Sequence, residues 1–218
     1  MEDGMTSIRK QARIAGALYL LMGVTAPIGL LVVPGRLIES GNATATADRI
    51  RASEWLLRAG IASELFHQVI AIFLVFALYR LFKSVSERLA VQLVVLGALV
   101  SVPIMFVNVV NELAALMLVR GAPFLAPFDR PQLDALAYLF VRLHSKGIDV
   151  ASIFWGLWLF PFGLLVIRSG FIPKLLGALL IIGGIGYLAA AAISLVLPPG
   201  AATTMRSVAG ILELGELP

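Results

Sequence analysis

The stretch LLRAGIASELFHQVIAIFLVFALY, residues 56–79, decides the fold. As a helix rising about 1.5 Å per residue it measures about 36 Å, enough to cross a bilayer core of about 30 Å. Trp55 precedes it and Tyr79 closes it, as expected of side chains at the two headgroup belts. Arg58 lies near its start, and further in three strongly polar residues interrupt the apolar run. Glu64, His67 and Gln68 stand three and four positions apart and so share one helix face. An ionisable group at the bilayer centre costs about 2.5–3.5 kcal/mol on insertion scales, so each calls for a partner or a purpose.

Working outward, four more stretches read the same way. Residues 14–33 form a first span, ended by Pro34-Gly35. Its roughly 20 apolar residues exceed the core of about 7–15 in a cleaved signal, so it reads as a retained helix. Residues 89–119 form a third span of about 45 Å that must tilt, protrude or kink at Pro103. Residues 148–167 and 172–197 complete five full spans, the last stopped by Pro198-Pro199. Residues 207–218 reach only about 18 Å, too short to span, and read as either a half-inserted segment or a truncated sixth helix. The fold class is therefore all-α, a polytopic transmembrane helix bundle in a single membrane domain. In the long connection before span four, Leu133, Leu136, Ala137, Phe140 and Leu143 recur at helical spacing, with Asp134, Tyr138, Arg142 and Lys146 opposite. This predicts an amphipathic helix over about 131–146, lying at the interface or leading into span four.

Composition agrees. Hydrophobic residues are 60% before the 20 glycines are counted, where soluble domains hold about 45–50% with glycine included. Charged residues are 14%, against about 25% in ordinary globular chains. A soluble enzyme, a disordered tail and a disulfide scaffold are excluded. With no cysteine there is no thiolate nucleophile and no sulfur-ligated metal centre. The net charge of +4 comes from Lys and Arg scattered between apolar runs, which argues for membrane orientation and against nucleic acid. Eight lie in about 29 residues of the N-terminus and the two short loops, and nine in about 64 residues of the other side. That density places the N-terminus in the cytoplasm.

The polar residues within the spans form one candidate group. Span three carries Asn108, Asn111 and Glu112, again on one face. Span four opens with Asp149, and His144 lies just before it. With alternating spans, Glu64, His67, Gln68, Asn108, Asn111, Glu112, His144 and Asp149 all fall in the membrane half nearer the long loops. A polar cavity opening on that face accounts for them. Two other readings stand beside it. Asn, Gln and His fasten helices through hydrogen bonds of about 0.6–2 kcal/mol. Alternatively, Glu64, His67, Glu112, His144 and Asp149 supply the nitrogen and oxygen donors of a metal site, which would suit a membrane-embedded hydrolase acting on lipid. The spacing Glu-x-x-His is a weak signature, and no His-Glu-x-x-His, nucleophile elbow or P-loop occurs. No cofactor is implied. Gly183, Gly184 and Gly186 read as helix-packing residues rather than a nucleotide loop, and Gly16 and Gly23 likewise.

Several stretches carry a family resemblance: AGALYLL at 15–21, ASEWLLRAGIASEL at 52–65 and LHSKGID at 143–149. A further series runs through Phe154-Trp155-Gly156, Arg168-Ser169-Gly170, Pro173, Leu176-Gly177 and Gly186-Tyr187-Leu188. Over roughly 10–217 the chain resembles the bacterial multi-pass membrane proteins catalogued as domain of unknown function 4386. The resemblance implies an all-helical inner-membrane protein of about six spans and assigns no reaction. Function is thus expected to be the binding or transport of a small ligand or ion, ahead of enzymatic chemistry. The alternatives are a metal-dependent lipid hydrolase and a structural or accessory membrane protein whose partner is the bilayer itself.

Overall fold

The structure, a computed structural model, describes residues 2–197, with side chains from residue 8 onward. The short helix expected over 207–218 lies outside the described residues. Among those described, every regular element is helical: α1 (Glu2–Pro27), a π segment (Ile28–Val32), α2 (Val33–Leu37), α3 (Ala43–Ala52), α4 (Glu54–Phe82), α5 (Glu87–Leu93), a second π segment (Val94–Val100), α6 (Ser101–Arg120), a 3-10 turn (Pro123–Leu125), α7 (Arg130–Ser169) and α8 (Lys174–Val196). Five stretches are long and apolar enough to cross a membrane: Ile8–Leu37, Glu54–Phe82, Glu87–Arg120, Arg130–Ser169 and Lys174–Val196. Leu20, Phe73, Val107 and Leu175 are among the large apolar side chains left exposed on them, a surface that lipid would cover.

The first and third of these stretches continue through prolines that the sequence reads as breaks or kinks. A helical proline lacks an N–H and its ring crowds the carbonyl four residues back. For Pro34 and Pro103 those carbonyls belong to Leu30 and Leu99, and both residues lie inside the π segments. There Val33 N–H bonds Ile28 O and Ser101 N–H bonds Leu96 O, five residues back in each case. The widened turn relieves the crowding, so Pro34 does not end the first span and the helix runs to Leu37.

The amphipathic stretch 131–146 and the expected span 148–167 are one unbroken helix, α7, of 40 residues. The pattern puts Asp134 on its polar face, but the structure buries Asp134 to 1% exposure and leaves Leu143 at 43%. The reason is a partner: Arg51 of α3 donates to the Asp134 carboxylate. The connections after α6 and α7 begin at Gly121 and Gly170, with φ of 73° at each. Gly121 N–H bonds the Met117 carbonyl, a left-handed helix stop that favours glycine.

The chain divides into two compact units, each assembled from parts of several helices. Among the described residues, the first comprises 2–19, Ala71–Ile104 and 148–197. In it α7 and α8 pack backbone to backbone. A Cβ on Gly163 would meet Gly177 O at 2.5 Å, and one on Gly156 would meet Gly184 O at 2.8 Å. Gly184 therefore packs as read from the sequence. Gly16 and Gly23 do not, since no described atom lies within 4 Å of a Cβ built on either. Beside this seam Phe162 contacts Phe82, Trp158 and Tyr19. The second unit comprises Leu20–Ile70 and Met105–Gly147. Its core joins Val33 and Leu37, Ile50, Leu57 and Ile61, Val109, Leu116 and Val119, and Ala137 and Val141, from α2, α3, α4, α6 and α7.

Candidate functional site

The site lies in the second unit, on three helices held in register at one end. Glu54 of α4 and Arg120 of α6 form an ion pair at 3.6 Å. Arg51 of α3 donates to Asp134 of α7 and, through Nε, to the Val119 carbonyl of α6 at 3.2 Å. Asp48 shares the network, accepting from Arg51 at 2.8 Å and from Arg130 at 2.9 Å. Burial works against the Arg51 charge, but Asp134 and Asp48 outweigh it and raise its pKa above the ordinary value. From this layer Glu64 stands ten residues along α4 from Glu54, Glu112 eight along α6 from Arg120, and His144 ten along α7 from Asp134. Each distance is about 12–15 Å at helical rise, so the three side chains arrive at one depth.

There they converge. His144 Nε2 lies 3.1 Å from Glu64 Oε2 and 3.9 Å from Glu112 Oε2. One ligand atom from each residue falls within 4.8 Å of the other two. Exposure is 3% for Glu64 and 4% for Glu112 and His144. Among the described residues, Glu64 Oε1 and Glu112 Oε2 are buried and accept no hydrogen bond, although a buried polar group without a partner costs about 1–3 kcal/mol.

The remaining candidates divide by role. Asn108 is buried and donates through Nδ2 to the His144 carbonyl at 2.9 Å, while Asn111 donates to Asn108 Oδ1 at 3.1 Å. The first bond fastens α6 to α7 beside the imidazole, and the second holds the Asn108 amide from within α6. His67 turns away from the cluster toward α1. Its Nδ1 lies 3.1 Å from Thr25 Oγ1, and Ser63 donates to the Thr25 carbonyl at 3.0 Å. Gln68 is buried one turn from Glu64. Asp149 belongs to the first unit, where Ser194 donates to its carboxylate and Ser152 to its backbone carbonyl. Of the five residues read as metal donors, the structure brings three together.

Two residues that sequence reasoning did not single out shape the cluster. A Cβ on Gly29, in the first π segment, would sit 2.5 Å from Glu64 Cγ. A Cβ on Gly147 would sit 1.9 Å from Asn108 Oδ1. Both glycines make room for a polar side chain from another helix. Pro27 and Pro34 flanking Gly29 offered a signal for irregular backbone there. For Gly147 the sequence offered none, because its role depends on where α6 lies.

Chemically, two carboxylates and one imidazole can bind a cation, share protons or anchor a hydrogen-bonding solute. No solved structure matches the chain. Over 41 residues it is 49% identical to an uncharacterized protein of Archaeoglobus fulgidus, a match covering 19% of this chain and 25% of that protein. The matched stretch thus spans about a quarter of that relative's length. A family model described as Domain of unknown function (DUF4386) matches residues 14–217, nearly the whole length, and the chain belongs to that family.

Proposed function

We propose that this membrane protein binds a small cation at Glu64, Glu112 and His144 and carries it across the bilayer. One observation bears most of the weight: two carboxylates and an imidazole meet with 3–4% exposure, and two of the carboxylate oxygens lack hydrogen bonds. Helix fastening explains Asn108 and His67, whose hydrogen bonds link helices, and Asn111, which holds the Asn108 amide. It does not explain why two buried carboxylate oxygens are left without a donor among the described residues, in a setting where uncompensated charge is costly. In this reading the membrane is the inner membrane, and the N-terminus faces the cytoplasm on the strength of Lys and Arg density. The cluster then serves the half of the path nearer the long loops.

The test is flux in proteoliposomes carrying purified protein. Vesicles loaded with a pH-sensitive dye receive a proton gradient, and vesicles loaded with a metal-quenched dye receive external Mn2+. Wild type should carry at least one of the two ions. Glu64→Gln and Glu112→Gln should fall to the rate of empty vesicles. Wild-type rates equal to empty vesicles for both ions, or rates unchanged in both variants, would favour a purely structural protein.

A further inference from the structure

We infer that Glu64, Glu112 and His144 ligate a divalent first-row transition cation of the Mn2+, Fe2+ or Zn2+ class. The inference deepens the cation reading above by naming the ion class, and it does not require transport. The donor set is the first argument. Two carboxylate oxygens and one imidazole nitrogen suit these borderline and hard dications, and the chain has no cysteine to favour a softer ion. Distance is the second. Ligands at about 2.0–2.2 Å from a common ion, at angles of about 90–109°, lie about 2.8–3.6 Å apart. The observed 3.1 Å between His144 Nε2 and Glu64 Oε2 fits directly. The 3.9 Å to Glu112 Oε2, and the spread of the three atoms up to 4.8 Å, need side-chain shifts of up to about an ångström.

Charge and satisfaction separate the metal from a proton. Two carboxylates and a dication sum to zero, the balance that a low-dielectric interior favours. A proton on His144 Nε2 serves the Glu64 Oε2 contact alone. It leaves Glu64 Oε1 and Glu112 Oε2 without a donor among the described residues; Glu112 Oε2 faces His144, and Glu64 Oε1 lies beside Gly29. An ion among the three ligand atoms engages Glu112 Oε2 as well as His144. The surroundings hold the ligands in place: Asn108 fixes the His144 backbone, and Gly29 lets the first π segment close against Glu64. Three protein ligands leave coordination positions open, a count found where a metal also meets water or a solute rather than serving structure alone.

The test uses the full chain in detergent, with any polyhistidine tag removed and bound metal stripped by a chelator. Equilibrium dialysis against Mn2+ and, separately, Zn2+ is followed by elemental analysis. Wild type should bind close to one ion per chain and melt at a higher temperature with it. Glu64→Gln, Glu112→Gln and His144→Gln should each weaken binding by about tenfold or more. Asp149→Asn, a carboxylate of the first unit, should bind as wild type does. Pulsed EPR of Mn2+ bound to wild type should show coupling to an imidazole nitrogen, a readout that survives if a variant fails to fold. Binding below about a tenth of an ion per chain, equal affinity in the triad variants, or no nitrogen coupling would each overturn the inference. Metal binding without flux leaves the site standing and removes the transport reading. Proton flux without metal binding does the reverse.

Discussion

A methyl group at residue 147 would land 1.9 Å from Asn108 Oδ1, far inside any permitted contact. Gly147→Ala must therefore displace the Asn108 amide and break its hydrogen bond to the His144 carbonyl. Overpacking and the lost bond together should cost about 1–3 kcal/mol. Thermal unfolding in detergent should show a clear fall in midpoint. Gly23→Ala is the contrast, since no described atom lies within 4 Å of its new Cβ. There alanine should hold or raise the midpoint, being better in a helix by about 0.5–1 kcal/mol. Equal shifts in the two variants would mean that Gly147 does not seat Asn108. At this scale the sequence spoke for Glu64 and Glu112, because a carboxylate inside an apolar span is anomalous on its face. It was silent on Gly147, because a small residue acquires meaning only from the neighbour that fills its space.

The short helix α3 acts as a tie among longer ones, and Arg51 is where it holds. Arg51→Met would leave Asp134 at 1% exposure with its charge unpaired. Breaking a buried pair costs about 3–5 kcal/mol, but the Arg51 side chain is 25% exposed, so solvent screening lowers the expectation to about 2–3 kcal/mol. Arg51→Met combined with Asp134→Leu should recover most of that loss, because no stranded carboxylate remains. A neutral single variant, or a double variant no better than the single, would count against the tie. The seam between α7 and α8 offers a second case. Gly163→Val would drive a side chain into the Gly177 carbonyl, which already lies 2.5 Å from an ideal Cβ. It should lower the unfolding midpoint far more than Gly16→Val, which meets no described atom. Helical periodicity disclosed that 131–146 is a helix yet put Asp134 on the wrong side. Arg51 is 83 residues away in sequence, and no local pattern carries such a pairing.

Across the whole molecule, the apolar content and its division into spans were legible because a bilayer sets the length of a crossing helix. The direction of crossing rests on loop charge alone, and the absence of cysteine makes it directly measurable. Thr44 in α3 and Ser84 after α4 are both exposed, and the spanning stretch Glu54–Phe82 separates them along the chain. Under the charge-density reading, Thr44→Cys faces the outside and Ser84→Cys the cytoplasm. A membrane-impermeant maleimide added to intact cells should label Thr44→Cys at once and Ser84→Cys only after lysis. The reverse pattern would invert the topology and turn the long loops toward the cytoplasm. The outcome bears on the cluster, because Glu64, Glu112 and His144 lie about 12–15 Å along their helices from Glu54, Arg120 and Asp134. If the maleimide reaches Thr44→Cys from outside, an ion entering past Arg51 and Asp134 comes from the exterior. Zinc or manganese added outside should then protect a cysteine placed at Asn111, and the same ion confined to the cytoplasmic side should protect it less.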